Sequence, residues 1–502
     1  MNDMTDHKRR SLTQLVRKSI EVYDAGLKQS VATVKYATQS AYSMLEAALF
    51  PTLDAVVHIN QQLTHTMQEV LQGEKTWQEA MLDTGRQVES GARFEHLVHT
   101  WGRTLFGSAR FEDEQVLGTT EHFRLCYLPP AADVEPAPIA AFYAGGCIPY
   151  GDRIFRLLPD FNLYARFRER GIPLYIMELA GDRDHINYAD LTMNSLIDTL
   201  DQLSDAAFAH HRRGALPSRD HKLALIGYCG QGTQALAYLA ARPHDADTKF
   251  STFLSFATPV DGTRCGELAR AARDMPDICH QALVSYYGAL GAIGGVLSGH
   301  TDAAGHHKLP GPAGGYLPGE LIQTSLDLSL GALFHKTSLG YFSAGWQRTE
   351  LAGVRSIGDL TASQQRDLAS VYWISSDCSR RFPIPLDIVR FTTALFKQGI
   401  TPDGVLPYPI QGRDVSLSAI ATDTNMRLIG CYGGKDPIAP HETAHVLASL
   451  LGERYTHVVH PQAGHISYVL SPNQWRPDSK RALAPNPLDL LLQEAERAET
   501  RS

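Results

Sequence analysis

Residues 221–237 read HKLALIGYCGQGTQALA. An apolar run ends in Gly227-Tyr228, Cys229 follows, and a Gly-rich step leads into helix-favouring residues. The stretch therefore predicts a strand, a sharp turn and a helix, with Cys229 at the tip. A thiol held there stands clear of sheet and helix, and the first amides of the helix, Gly230 among them, face an incoming carbonyl. A thiol becomes a useful nucleophile when a base takes its proton, and the base works best when a carboxylate orients its ring. In a sheet of this kind the expected chain order is nucleophile, acid, histidine.

The downstream sequence supplies that order. Asp436 lies in GGKDPIAP and His465 in PQAGHISYVLSP, each in a turn that follows a predicted strand. All three residues would then meet at one edge of the sheet. Alone, Asp436 could be a turn-former and His465 a loop residue; their order behind successive strands argues for a Cys229-His465-Asp436 triad. Oxyanion donors are expected from Ala144-Gly145-Gly146-Cys147, after a strand ending at Tyr143. Two glycines there permit close backbone approach, and the loop amides together with Gly230 could bind a developing negative charge; a simple glycine turn is the other reading. Cys147 is the thiol nearest this loop, whereas the remaining cysteines read as small core residues.

These residues need a framework. From 123 to 256 short β-rich runs (123–128, 138–143, 173–179, 222–226, 250–256) alternate with helical ones, and two more strands follow at 426–432 and 456–460. Strand, helix, strand repeated in this way implies an α/β fold with a mostly parallel, doubly wound sheet. Between residues 260 and 423 the alternation is lost, and helical runs near 266–293, 319–348 and 383–398 flank the Gly/His/Pro-rich stretch 299–319. An insertion here is expected to form a cap over the carboxyl ends of the strands. His300, His306 and His307 lack an arranged carboxylate, so no metal site is expected from them. Residues 12–107 contain little Gly or Pro and repeat apolar residues at helical spacing (Leu12, Val16, Ile20, Tyr23, Leu27, Val31, Val34), with Pro51 expected to interrupt the pattern. Such stripes fit packing on the main domain or on each other, or docking to a partner or an apolar particle surface. The organisation read from the chain is a helical region 1–107, a catalytic domain 108–475 with the cap at about 260–423, and a tail 476–502 ending in a helix.

Composition narrows the class. The chain has 502 residues, 43% of them hydrophobic and 20% charged, with a net charge of −8, so nucleic acid is not an expected partner. Seven cysteines without a CxxC pair speak against a disulfide framework or zinc site and for a reducing cytoplasm. The opening residues lack the apolar core of a signal peptide, and no apolar run approaches the roughly 18 residues that span a bilayer.

GYCGQGT resembles the Gly-x-Cys-x-Gly-Gly box of the polyhydroxyalkanoate synthases, members of the α/β-hydrolase superfamily. ATPVDG at 257–262, VYWISSDCSRRFPIP at 371–385 and QGRDVSLSAI at 411–420 are similar to further segments of that family, leading into the acid and histidine stretches. The resemblance runs in order over roughly 115–475. It implies an α/β-hydrolase fold and an acyltransferase that polymerises (R)-3-hydroxyacyl-CoA into polyhydroxyalkanoate with release of coenzyme A. Cys229 would carry the acyl group, His465 and Asp436 would manage the protons, and Asp377 would support the site. No cofactor is implied, because the coenzyme A thioester is the substrate. The implied partners are hydroxyacyl-CoA and the growing polyester in the cytoplasm, with a homodimer, an accessory subunit and a granule surface left open. A cysteine hydrolase of polyester or thioester, and a non-catalytic granule-associated relative, remain alternatives. Gln231 stands where the family box has the first of its paired glycines, and AGGC at 144–147 stands where the family has a Pro-Pro-Trp segment.

Overall fold

The fold was analysed in a computed structural model, which describes residues 23–24, 27–106, 110–147, 151–159, 161–180, 188, 190–214, 222–297, 315–319, 321, 334–375 and 382–499. Eight strands form one sheet: β1 (Gln115–Thr119), β2 (Phe123–Leu128), β3 (Ala141–Tyr143), β4 (Leu174–Leu179), β5 (Leu223–Tyr228), β6 (Phe250–Phe256), β7 (Arg427–Gly433) and β8 (Tyr455–His460). Their order across the sheet is β1-β2-β4-β3-β5-β6-β7-β8, with β2 antiparallel to both its neighbours and the strands from β4 to β8 parallel. This is the α/β-hydrolase arrangement.

Every residue of β4 and β5 is buried, as parallel strands covered on both faces require. One face carries Phe142, Tyr175, Met177, Leu225 and Phe253 against the helices α3 (Met193–Gly214) and α4 (Cys229–Ala241). The other carries Tyr143, Ile176, Ile226, Leu254 and Ile429, covered in part by Leu488 and Leu491 of the C-terminal helix Pro487–Glu499.

The structure differs from the sequence reading at several places. Strand β1 was not expected: its residues are largely exposed, Gly118 interrupts them, and a bulge falls between Val116 and Gly118, so no apolar alternation marks it. Between the strands expected at 138–143 and 173–179 the sequence reads as helical over about 155–170, but the helix begins only at Leu163, behind a small hairpin of Arg156–Leu158 and Phe161–Asn162. Pro51 does not interrupt its helix. A π-helical turn, Leu45–Leu49, precedes helix α1 (Phe50–Leu71) and places Pro51 in its first turn, where the missing N–H costs little. Within the expected cap run at 319–348, the described residues form a helix at Ser338–Trp346; most of 299–319 lies outside them.

Helix α2 (Trp77–Leu97), opened by a Thr76/Glu79 capping box, packs on the helices within residues 338–375. Its Gly91 lies so close to Phe342, and Gly345 to Phe94 and Ser90, that a Cβ on either glycine would meet neighbours at 2.9 and 2.5 Å. Phe94, Leu97 and Val98 share an apolar cluster with Tyr341, Leu351, Leu368 and Tyr372. The stripe on the preceding helix behaves differently, for Leu27, Val31, Val34, Leu45, Leu53 and Val56 are all exposed. No helix among the described residues is long and apolar enough to cross a membrane.

Candidate active site

The elbow is built by close packing. Cys229 follows β5 directly and starts α4 with φ +49°, a left-handed conformation that a residue with a Cβ adopts only at a cost of about 1 kcal/mol or more. Two glycines permit the turn. A Cβ on Gly227 would come within 2.6 Å of Gly232 Cα, and one on Gly232 within 2.0 Å of Thr258 Oγ1. The hydroxyl of Thr233 donates to the carbonyl of Pro259 across 2.7 Å and fixes α4 to the segment after β6. The half-buried Cys229 belongs to the edge of an apolar cluster containing Phe155, Tyr228 and Trp373.

Asp436 and His465 arrive from the loops after β7 and β8. Nδ1 of His465 donates to Oδ2 of Asp436 at 2.8 Å, and Oδ1 of the same carboxylate accepts the amides of Ile438 (2.8 Å) and Ala439 (2.9 Å). Both side chains are buried. The acid loop is itself held, since the amide of Gly266 donates to the carbonyl of Ile438, and a Cβ on Gly266 would meet the Pro437 carbonyl at 1.7 Å. The Tyr228 hydroxyl donates to the carbonyl of His465 at 3.0 Å, so the residue preceding the thiol positions the backbone of the histidine.

Burial works against a charged imidazole at this depth. The charge of a Cys229 thiolate, the charge of Asp436 and hydrogen bonds to both outweigh it, and His465 is raised to about 10. The structure thus brings Cys229, His465 and Asp436 together, with the imidazole made more basic by both of its neighbours.

Gly145, Gly146 and Cys147 lie beside the elbow, the amide of Ala144 donating to the carbonyl of Ile226 in β5. The Gly145 amide is committed to the carbonyl of Tyr143 at 3.0 Å, and a Cβ there would meet the Met177 carbonyl at 1.8 Å. Gly145 is therefore needed for the approach, and Gly146 and Cys147 are the loop residues whose amides have no backbone partner among the described residues and are the candidates for an oxyanion. Gly230 lies in the first turn of α4, where amides have no carbonyl partner within the helix. Cys147 is buried, and burial pushes its thiol up to about 12, which makes it a poor competitor to Cys229 as nucleophile. Asp377 lies outside the described residues.

Gln231 fills a place that sequence reasoning marked only as a departure. It is buried; its Oε1 accepts the Tyr143 hydroxyl at 2.7 Å, and its Nε2 reaches the Gly146 carbonyl at 3.4 Å. The side chain points to the oxyanion loop and not into the packing of helix on sheet, which Gly227 and Gly232 serve. Tyr143 was legible only as the end of a strand.

Two other features lie apart from this centre. Glu114, Cys126 and Glu178 approach one another closely, but Arg110 and Arg156 pair with both carboxylates and Arg124 with Glu178, so the group is a buried ion network. A cavity of about 360 Å³ between residues 350–370 and the segment after His465 is lined by Phe161, Arg366, Asn473 and Arg481 among others, and none of Cys229, Asp436 and His465 contributes to it.

No protein-family model and no curated protein matches the chain. Solved structures do resemble it. A putative aryl esterase from Burkholderia cenocepacia is 12% identical, covering 76% of this chain and 99% of its own, with a TM-score of 0.37. The thioesterase domain from the curacin biosynthetic pathway is 11% identical over 72% and 97%, with a TM-score of 0.34. The hypothetical protein PA2218 from Pseudomonas aeruginosa is 12% identical over 78% and 95%, with a TM-score of 0.41.

Proposed function

We propose that the chain is a cysteine acyltransferase that takes (R)-3-hydroxyacyl groups from coenzyme A and joins them into a polyester. The observation that carries this reading is the placement of Cys229, at φ +49° on an elbow, against a His465 ring raised to about 10 and bonded to Asp436. Sulfur as nucleophile suits thioester exchange, in which the bond broken and the bond formed are of one kind. The ordered likeness of residues 115–475 to the polyhydroxyalkanoate synthases supplies the substrate class.

In the first step the Cys229 thiolate adds to the thioester carbonyl, and the oxyanion is met by amides of Gly146, Cys147 and Gly230. The tetrahedral adduct collapses with loss of coenzyme A, whose sulfur takes the proton from His465, leaving the hydroxyacyl group on Cys229. The hydroxyl of a second hydroxyacyl unit then gives its proton to His465 and attacks the acyl carbon, forming the ester and releasing the Cys229 sulfur. Asp436 keeps Nδ1 of the ring protonated throughout, so that Nε2 does the exchange. Trp373 and the apolar cluster beside Cys229 favour an acyl chain over water.

The test is incubation with 3-hydroxybutyryl-CoA, following free coenzyme A and polymer together. Release with polymer is expected. Release without polymer would convert the reading to hydrolysis, and no release from folded protein would remove this chemistry altogether, leaving a non-catalytic, granule-associated role.

A further inference from the structure

Beyond His465 the chain folds into two short helices, Ser467–Leu470 and Pro472–Trp475, which contribute one wall of the cavity of about 360 Å³. The turn Thr349–Leu351 and the helix Ala362–Ser375 contribute another. A cavity of this size suits a ligand of metabolite dimensions.

The charges on its walls are unbalanced. Asp367 is already paired, because both of its oxygens accept from the Arg348 guanidinium. Arg366 and Arg481 have no carboxylate partner among the described residues. The half-buried Arg366 lies instead over the Phe161 ring, 5.0 Å from its centroid, a contact that holds the guanidinium in place. Glu350 is the remaining acid of the lining and is exposed. Two guanidinium groups therefore stand unpaired in one cavity, and planar forks of N–H donors of this kind suit the several oxygens of a phosphate.

Gln474 supplies a second, independent observation. The residue is 5% exposed, and its Oε1 is buried without a hydrogen-bond partner, although buried amide oxygens ordinarily find one. Its backbone is fixed at both ends: the amide donates to the carbonyl of Ser471 at 3.0 Å, and the carbonyl accepts the Leu483 amide at 2.7 Å. A bare acceptor in a cavity with two unpaired cations calls for a ligand that brings a donor close to its negative charge. A hydroxyl near a phosphate is such a donor.

We propose that this cavity binds a small hydroxylated phosphate ester, with the phosphate taken by Arg366 and Arg481 and a hydroxyl donating to Oε1 of Gln474. The site is separate from the Cys229 centre. Its occupant would tie the helix Ala362–Ser375 to the segment that follows His465.

The test titrates the native full-length chain with ribose 5-phosphate by calorimetry at about 0.15 M salt, where loose attraction between exposed charges is screened. One equivalent should bind and raise the melting temperature. Inorganic phosphate, which lacks the sugar hydroxyls, and ribonate, which carries a single charge, should each bind roughly 10-fold more weakly, and ribose should not bind. Arg366→Gln and Arg481→Gln should each weaken ribose 5-phosphate by roughly 10- to 100-fold. Arg476→Gln, which removes an exposed cation outside the lining, should leave it unchanged. Gln474→Leu should bring ribose 5-phosphate to the affinity of inorganic phosphate without altering inorganic phosphate itself; Gln474→Met serves where the leucine variant does not fold, as circular dichroism will show. Absence of saturable binding to the native chain, equal affinity for ribonate, or unchanged affinity in the folded Arg366 and Arg481 variants would overturn the site. Binding and not turnover is read, so the outcome is independent of the chemistry at Cys229.

Discussion

Asp436 bonds His465 with one oxygen, Oδ2 at 2.8 Å, while its other oxygen is held by the amides of Ile438 and Ala439. A carboxylate fixed by two amides cannot rotate away from its partner, so the imidazole has one orientation and one tautomer. Asp436→Asn keeps the shape but presents the wrong group to Nδ1. Its turnover of 3-hydroxybutyryl-CoA should fall by roughly 10³- to 10⁴-fold with little change in KM. Steady-state coenzyme A release measures this, and loss of substrate binding alone would contradict it.

The raised basicity of His465 depends on its neighbour. Removing the sulfur in Cys229→Ala takes away a charge and a hydrogen bond that favour the cation, while the opposing burial stays, so the ring should lose its proton at a lower pH than in the native chain. Nuclear magnetic resonance of ¹³C-labelled histidine reads the shift directly. The linked effect on stability has a definite sign. Because the folded value lies above the ordinary 6.5, the stabilisation is full below pH 6.5 and is lost as the pH rises through about 10. Urea midpoints of the native chain and Asp436→Asn should therefore converge across that window, and a gap that widens would refute the assignment.

Gln231 joins α4 to both the end of β3 and the oxyanion loop. Gln231→Ala should cost about 1–2 kcal/mol of stability through the lost buried hydrogen bonds. It should also lower kcat more than it raises KM, since the Gly146 segment loses its tether. Denaturant titration and coenzyme A release report the two effects separately. A stability loss with unchanged kcat would show Gln231 to be packing alone.

Gly232→Ala places a Cβ 2.0 Å from Thr258 Oγ1 and 3.0 Å from its Cβ. The expected loss is about 1–3 kcal/mol, with part of it recovered in the Gly232→Ala/Thr258→Ala double variant because the closest contact is gone. Thermal denaturation of the three proteins tests the coupling, and strict additivity would argue against the clash.

The elbow, its acid and its histidine were legible because each sits at a strand end, where chain order and turn residues carry the signal. Six of the seven strands that could be read are parallel, and covered parallel strands appear as apolar runs; β2, antiparallel but buried along most of its length, reads the same way. β1 escaped because an exposed, bulged edge strand has no such run, and Pro51 misled because a π-helical turn is not written in local residue preference. Gln231 was visible as an oddity, but its purpose required Tyr143 and Gly146, partners far away in sequence.

The contact of Gly91 and Gly345 has a mechanical consequence. With α2 seated on the 338–375 helices at backbone distance, and Gly102 likewise within 2.7 Å of the Leu368 carbonyl for any added Cβ, these two parts of the chain are packed as one unit. Any opening that admits an acyl chain to Cys229 by lifting the 338–375 helices must swing the amino-terminal pair along with them. The exposed residues Leu27, Val31, Val34 and Leu53 would be carried along with it.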